Sequence, residues 1–333
     1  MSGDRGVRRR RGSARALALS TAAAVLAVPT SGCVVVHGER AVLPAATRAE
    51  ATAALERFTA AYNEADRAYD PSLDAPVTTG ALADIDSARL RAGAARHPDG
   101  NPRHTPLELT DVRYTIPKKA GWPRWFVADA LGDKGGDARW LLVFTRDGID
   151  EAWEAAYLAL VEPDSLPEVP TDEDGWAEAV PADSSEPALS PGELGQAYTG
   201  HLQEGGSGFA DGPHTSAWRE LRGKRESRPG LARQYIDEPL DGGDYAPLAV
   251  RTEGGGALVF FATRHYEKQT AARGATVPTP NQDVLALTEG TIEGALTMEF
   301  VSNAVAVIPP AGAAGEEVRV LGRVQGLTSA RGE

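Results

Sequence analysis

EPDSLPEVPTDEDGWAEAVPADSSEP, residues 162–187, decides whether the chain is one fold or two. It sits at the middle of 333 residues and is dense in Pro, Asp, Glu and Ser. From Asp147 to Trp218 there are sixteen Asp and Glu and no Lys or Arg. A segment with so little apolar surface to bury, whose charges repel one another, reads as a linker over 163–187. It leaves a first α+β domain at 47–162, a second at 188–327 and a tail at 328–333.

The flanks of this segment match each other. "TRAE" (47–50) and "SPGE" (190–193) both fit a capping box, in which the hydroxyl accepts from the amide three residues on and the glutamate reaches back. "DAPVTT" (74–79) and "DGPHTS" (211–216) share D-x-P-x-T-[S/T], a turn before a second helix. "LLVFTR" (141–146) parallels "VFFATR" (259–264). Three matches in one order imply an internal duplication.

In the first half, Leu55, Phe58, Tyr62, Ala65 and Tyr69 form one stripe at helical spacing. A second helix runs over about 79–95, with Leu82, Ile85 and Ala92 on its apolar side. Strands follow at 106–117, 124–131, 138–146 and 151–161, and a slip of phase near Thr110–Asp111 predicts a β-bulge. "DKGGD" (133–137) is a hairpin loop. Trp122, Trp125, Trp140 and Trp153 are expected in the core. The second half repeats the plan, with helices near 191–203 and 215–226. Its strands lie near 231–237, 245–252, 256–266, 292–308 and 316–326, and 268–290 is an extra loop. The expected fold class is therefore α+β: two similar domains, each with N-terminal helices packed on a curved antiparallel sheet, after a signal peptide.

The N-terminus supplies that last feature. Arg5, Arg8 to Arg11 and Arg15 precede an apolar stretch, Ala16 to Val28, which is too short to span a bilayer and suits a signal peptide. Ser31, Gly32 and Cys33 then match a lipobox, while Thr30 stands where an aliphatic residue is usual. The stretch resembles a bacterial lipoprotein signal. That resemblance implies cleavage after residue 32, acylation of Cys33 and a tether over 33–46. Two acyl chains on one glyceryl group pass the limit at which a single chain binds only marginally. Cys33 is the only cysteine, so no disulfide is expected and core burial must supply stability.

Lipobox, element order and doubled unit together resemble actinobacterial lipoproteins of the Streptomyces type, built from duplicated NTF2-like (cystatin-like) domains. An NTF2-like domain implies a cone closed by a helix. Some relatives use its cavity for catalysis and many only for binding or pairing.

The charge narrows the partners. The chain carries −13, and its first 32 residues hold six Arg and one Asp, which leaves −18 on residues 33–333. That balance argues against nucleic acid and anionic lipid as partners, since both repel it, and an anionic cell-wall polymer is disfavoured for the same reason. None of His37, His97, His104, His201, His214 and His265 stands at metal-ligand spacing, so no metal and no cofactor is expected. "PTDEDG" (170–175) lacks the first and last ligands of a calcium loop. "GGSGF" (205–209) and "EGGGA" (253–257) are loops, and no dinucleotide or phosphate fingerprint exists.

One constellation could carry chemistry. Asp66 borders the stripe of the first helix beside Tyr62, and Arg89 falls on the apolar side of the second. Asp86, three residues before Arg89, can pair with it. Tyr62, Asp66 and Arg89 either line a polar pocket, where an acid and a tyrosine can move a proton, or form a structural ion pair at the helix seam. The expected function is that of a lipid-anchored, extracytoplasmic, non-catalytic binding or scaffolding module. Its expected partners are the membrane, through the anchor, and a protein or small molecule. The alternative is an NTF2-like enzyme of isomerase or hydrolase type acting on a small apolar substrate. A solute-binding importer component is disfavoured, because βαβ alternation is missing.

Overall fold

The structure, a computed structural model, describes residues 41–333. The leader, His37 and Cys33 lie outside the described residues. Helix α1 (Arg48–Ala68) starts where the sequence says it should. Thr47 accepts from the Glu50 amide and Glu50 reaches back to the Thr47 amide, the complete capping box. Helix α2 (Gly80–Arg96) follows, with Leu82, Ile85 and Ala92 buried. Strands β2 (Leu109–Thr115), β4 (Arg124–Gly132), β5 (Arg139–Arg146) and β6 (Glu154–Val161) form an antiparallel four-stranded sheet in that order. The register of β2 on β4 shifts between Thr110 and Arg113, where Asp111 takes a φ of 45°. The expected bulge is there.

A ten-stranded sheet takes the rest. Its path runs β1 (Leu43–Pro44), β3 (Pro117–Lys119), β7 (Ala177–Val180), β10 (Leu248–Arg251), β11 (Ala257–Ala271), β13 (Ala295–Ile308), β14 (Arg319–Gly332) and β12 (Thr288–Glu289). The far end of β11 also pairs with β9 (Leu231–Leu240), and β9 pairs with β8 (Ser227–Arg228). Helices α3 (Leu194–Glu204), α4 (Ser216–Gly223) and the short α5 (Gln282–Ala286) complete the chain. The described residues belong to one compact unit, a mixed α/β arrangement.

Alternation along the strands builds four layers. On β5, Trp140, Leu142 and Phe144 pack toward α1, while Leu141 and Val143 point the other way. There they meet Leu258, Phe260 and Ala262 of β11 and Val301 and Val305 of β13. The opposite face of β11, Ala257, Val259 and Phe261, packs on Leu194, Tyr198 and Leu202 of α3. The order is α1, small sheet, large sheet, α3. Both sheets are covered on both faces, which is why "RWLLVF" and "ALVFFA" are continuously apolar rather than alternating.

Several expectations need correction. The segment 163–187 is not a free linker. Its β7 pairs parallel with β3 and antiparallel with β10, joining strands of the two halves. Asp172 in "PTDEDG" accepts from the amides of Asp174 and Trp176 and from Lys118, so the acidic turn is tied down. The end of the tether is strand β1, with Ala45 and Ala46 buried. Residues 328–333 are no tail, since β14 runs to Gly332. The extra loop 268–290 holds the end of β11, then α5 and β12. Ser190 makes no cap bond, because Pro191–Glu193 forms a 3₁₀ turn ahead of α3. Trp125, Trp140 and Trp153 are buried as expected, but Trp122 is 37% exposed.

Candidate functional site

The structure brings Tyr62, Asp66 and Arg89 together at the seam of α1 and α2. Arg89 Nη1 donates to Asp66 Oδ1 at 2.5 Å and Nε donates to Asp86 Oδ1 at 2.7 Å. The guanidinium lies 5.4 Å from the Tyr62 ring centroid, a cation–π contact. Two residues from the loop after α2, named by no motif, close the network. Asn101 Nδ2 donates to Asp66 Oδ2 at 3.0 Å, and His104 Nδ1 stands 2.7 Å from the same oxygen. An ionised carboxylate only accepts, so Nδ1 carries the proton in that contact.

A third carboxylate lies behind this network. Asp74, from the "DAPVTT" turn, is 2% exposed, and its Oδ2 and that of Asp86 are buried without a donor. Burial first, and the neighbouring Asp86 second, push the Asp74 carboxyl up to about 8. A proton on Asp74 shared with Asp86 satisfies both orphan oxygens. Asp66 goes the other way: burial opposes its charge, but hydrogen bonds from His104 and Arg89 hold it below the usual carboxylate range. Burial pushes the Tyr62 hydroxyl up to about 12, so it stays protonated at neutral pH. Three carboxylates facing one guanidinium can store a proton. The arrangement is also internally bonded, each named group facing another of the same chain.

A second buried cluster lies on the outer face of the large sheet and escaped the sequence reading. Arg222 of α4 makes a bidentate bond to Asp237 of β9, at 2.6 and 2.9 Å, with both side chains buried. Its guanidinium sits 5.1 Å from the Trp218 ring and 4.8 Å from the Tyr235 ring. Arg323 of β14 lies 4.6 Å from the same tryptophan and donates to Ser302. Burial, with Arg222 and Arg323 adding to it, keeps His265 neutral, and its ring stacks on Phe300 at 4.8 Å. The arginine six residues beyond "DGPHTS", on the buried side of a short helix, was the available signal.

Space for a ligand lies elsewhere. A groove of about 970 Å³ opens beside β3, β7 and β10. Its walls include Lys118, Glu178, Ala182, Leu248 and Arg251, and Arg251 is held by Glu178 and Glu186. The space between α1 and the small sheet, by contrast, is filled by aromatic side chains. Phe126 stacks on Phe144 at 4.9 Å and meets Trp153 edge-on at 5.0 Å, and Phe58 covers Phe144 at 5.9 Å.

Residues 42–332 match the family described as Domain of unknown function (DUF8094). An uncharacterized lipoprotein of Streptomyces coelicolor is 68% identical over 333 residues, the whole of both chains. One from Streptomyces avermitilis is 52% identical over the same full length. A second Streptomyces coelicolor uncharacterized lipoprotein is 25% identical over 301 residues, 87% of this chain and 83% of the relative. No solved structure matches the chain.

Proposed function

The chain belongs to the family described as Domain of unknown function (DUF8094), and from that premise we propose that it is a lipid-anchored, extracytoplasmic binding module. Cys33 carries the anchor, the body works at the outer face of the membrane, and the partner is a protein or a small molecule rather than a substrate that is turned over. The names of the Streptomyces relatives support the anchor. The repeated order of helix, helix and antiparallel strands supports an origin in duplicated NTF2-like units. In this reading the units have fused through β7 into one body.

One observation carries the binding role. The cone that an NTF2-like enzyme would use is packed with Phe58, Phe126, Phe144 and Trp153, while the open groove lies beside β3, β7 and β10. The enzyme reading, an isomerase or hydrolase acting on a small apolar substrate, draws on the proton held by Asp74. With Asp74 only 2% exposed, that proton is withdrawn from any substrate.

Site-specific photo-crosslinking on membranes tests the reading. A crosslinking residue at Ala182, in the groove wall, is expected to give a discrete adduct, and one at Ala68, exposed on α1, none. Equal labelling from both positions, or none from Ala182, removes the groove from the proposal. Cys33→Ala is expected to move the protein out of the membrane fraction.

A further inference from the structure

Two arginines face each other across the small sheet. Arg124 on β4 and Arg146 on β5 are direct cross-strand partners, a like-charge juxtaposition that destabilises a sheet. Burial, and then the neighbouring Arg146, push Arg124 below its usual value. Lys119 is depressed in the same way, by burial and then by Arg124. Among the described residues, neither Lys119 nor Arg124 has a carboxylate within 4.0 Å, and Arg146 has only Glu50, at 3.6 Å. In a body that carries −18, and with Asp147 and Asp244 lining the pocket beside Trp122, these cations form a small positive patch.

The place of the patch selects its partner. Both guanidiniums lie 5.6 Å from the Trp122 ring, which is 37% exposed on the loop between β3 and β4. Arg124 Nη1 donates to the carbonyl of Leu43 at 2.9 Å and to that of Lys119 at 2.8 Å, pinning β1 to the same loop. Val42 and Leu43, 63% and 50% exposed, stand at that root. Ten residues separate Leu43 from Cys33, a reach of about 35 Å when fully extended. The anchor therefore holds an exposed tryptophan, two exposed aliphatic residues and three cations within reach of the bilayer. Tryptophan favours the headgroup level, and cations near an anionic leaflet are attracted to it.

We propose that the Trp122 loop and the root of β1 form a membrane-docking face. Trp122, Val42 and Leu43 enter the headgroup layer and the part-exposed Lys119 draws in lipid phosphates, while buried Arg124 and largely buried Arg146 brace the loop from beneath. The proposal rests on the lipid anchor at Cys33 and adds an orientation to it. Docking fixes which way the groove beside Lys118 and Lys119 faces.

The mature acylated protein, reconstituted in vesicles of equal parts phosphatidylcholine and phosphatidylglycerol with brominated acyl chains, provides the test. Bromine quenches nearby tryptophan, and Trp122 is one of six. The expected quenching is at most about one sixth of the emission. It is absent in Trp122→Phe, and it is reduced in Lys119→Glu, which leaves the tryptophan in place. On phosphatidylcholine alone, Lys119→Glu should match the wild type. Flotation with the acyl mass intact but equal quenching in wild type and Trp122→Phe overturns the docking alone. A mature chain with no acyl mass and no flotation overturns the anchor and the docking with it.

Discussion

Arg89 and Arg222 both sit on the second helix of their half, each after a D-x-P-x-T-[S/T] turn, and their surroundings are opposite in charge balance. Around Arg89 stand three carboxylates, Asp66, Asp74 and Asp86; burial first, and then the neighbouring Asp86, leave Asp74 holding a proton. Around Arg222 stands one carboxylate, Asp237, with Arg323 close by; burial first, and then the two arginines, keep His265 neutral. Arg89 is 37% exposed and shares its bonds between two carboxylates, whereas Arg222 is sealed between two aromatic rings on a single partner. The same pair of residue types thus gives a pH-sensitive seam in one half and a fixed buried pair in the other.

The largest effect tests the sealed pair. Asp237→Ala leaves the Arg222 guanidinium buried without its carboxylate, which costs about 3–5 kcal/mol in comparable sites. Urea or thermal melts of the variant should show a loss of that size, or no soluble protein. A variant that melts within about 1 kcal/mol of the wild type breaks the contrast.

Next comes the pH dependence of the open seam. An aspartate in the unfolded chain titrates near 3.8, while Asp74 in the fold holds its proton to about 8. Below 3.8 both states are protonated and the stabilising contribution is complete. As pH rises from there, the unfolded state releases a proton that the folded state keeps, so stability falls until Asp74 itself ionises near 8. Asp74→Asn keeps a donor toward Asp86 and removes the titration. Histidines held neutral by the fold, His265 above all, make stability rise with pH through their unfolded value. Asp74→Asn is therefore expected to gain melting temperature from pH 5 to pH 8, and the wild type to fall relative to it. Equal slopes would show that Asp74 shares no proton with Asp86.

Asp66→Asn should cost less, about 1–2 kcal/mol. Arg89 retains its bond to Asp86 and is partly solvated, while His104 and Asn101 lose a charged acceptor. Denaturation of Asp66→Asn, His104→Ala and the double variant measures the coupling. Additive losses would mean that His104 is not coupled to Asp66.

The sequence was most legible where a local rule and a tertiary need coincide. Continuous apolar runs named β5 and β11, since both faces of each sheet are covered. The three-residue spacing of Asp86 and Arg89 named an ion pair that forms at 2.7 Å. Legibility failed where pairing is long-range. Composition marked 163–187 as exposed, which much of it is, but β7 pairs with strands about 60 residues before it and 70 after it. Asp74 was missed because its burial is tertiary, with α1 and β6 packed on its turn and Asp86 of α2 beside its carboxyl. Its counterpart Asp211 in "DGPHTS" stays exposed, so the motif alone does not tell them apart.

The smallest prediction addresses that same resemblance between the halves. Thr47 and Ser190 occupy equal places in "TRAE" and "SPGE", and the sequence gives no reason to rank them. In the fold Thr47 accepts from the Glu50 amide at 3.1 Å, while Ser190 precedes a 3₁₀ turn and caps nothing. Thr47→Ala is therefore expected to cost about 1 kcal/mol, the usual loss of an N-cap. Ser190→Ala should stay within about 0.5 kcal/mol of the wild type, as substitutions away from any such feature do. Paired urea melts resolve a difference of that size. Equal losses would mean that Ser190 caps α3 in solution, and the two halves would then be more alike than the structure makes them.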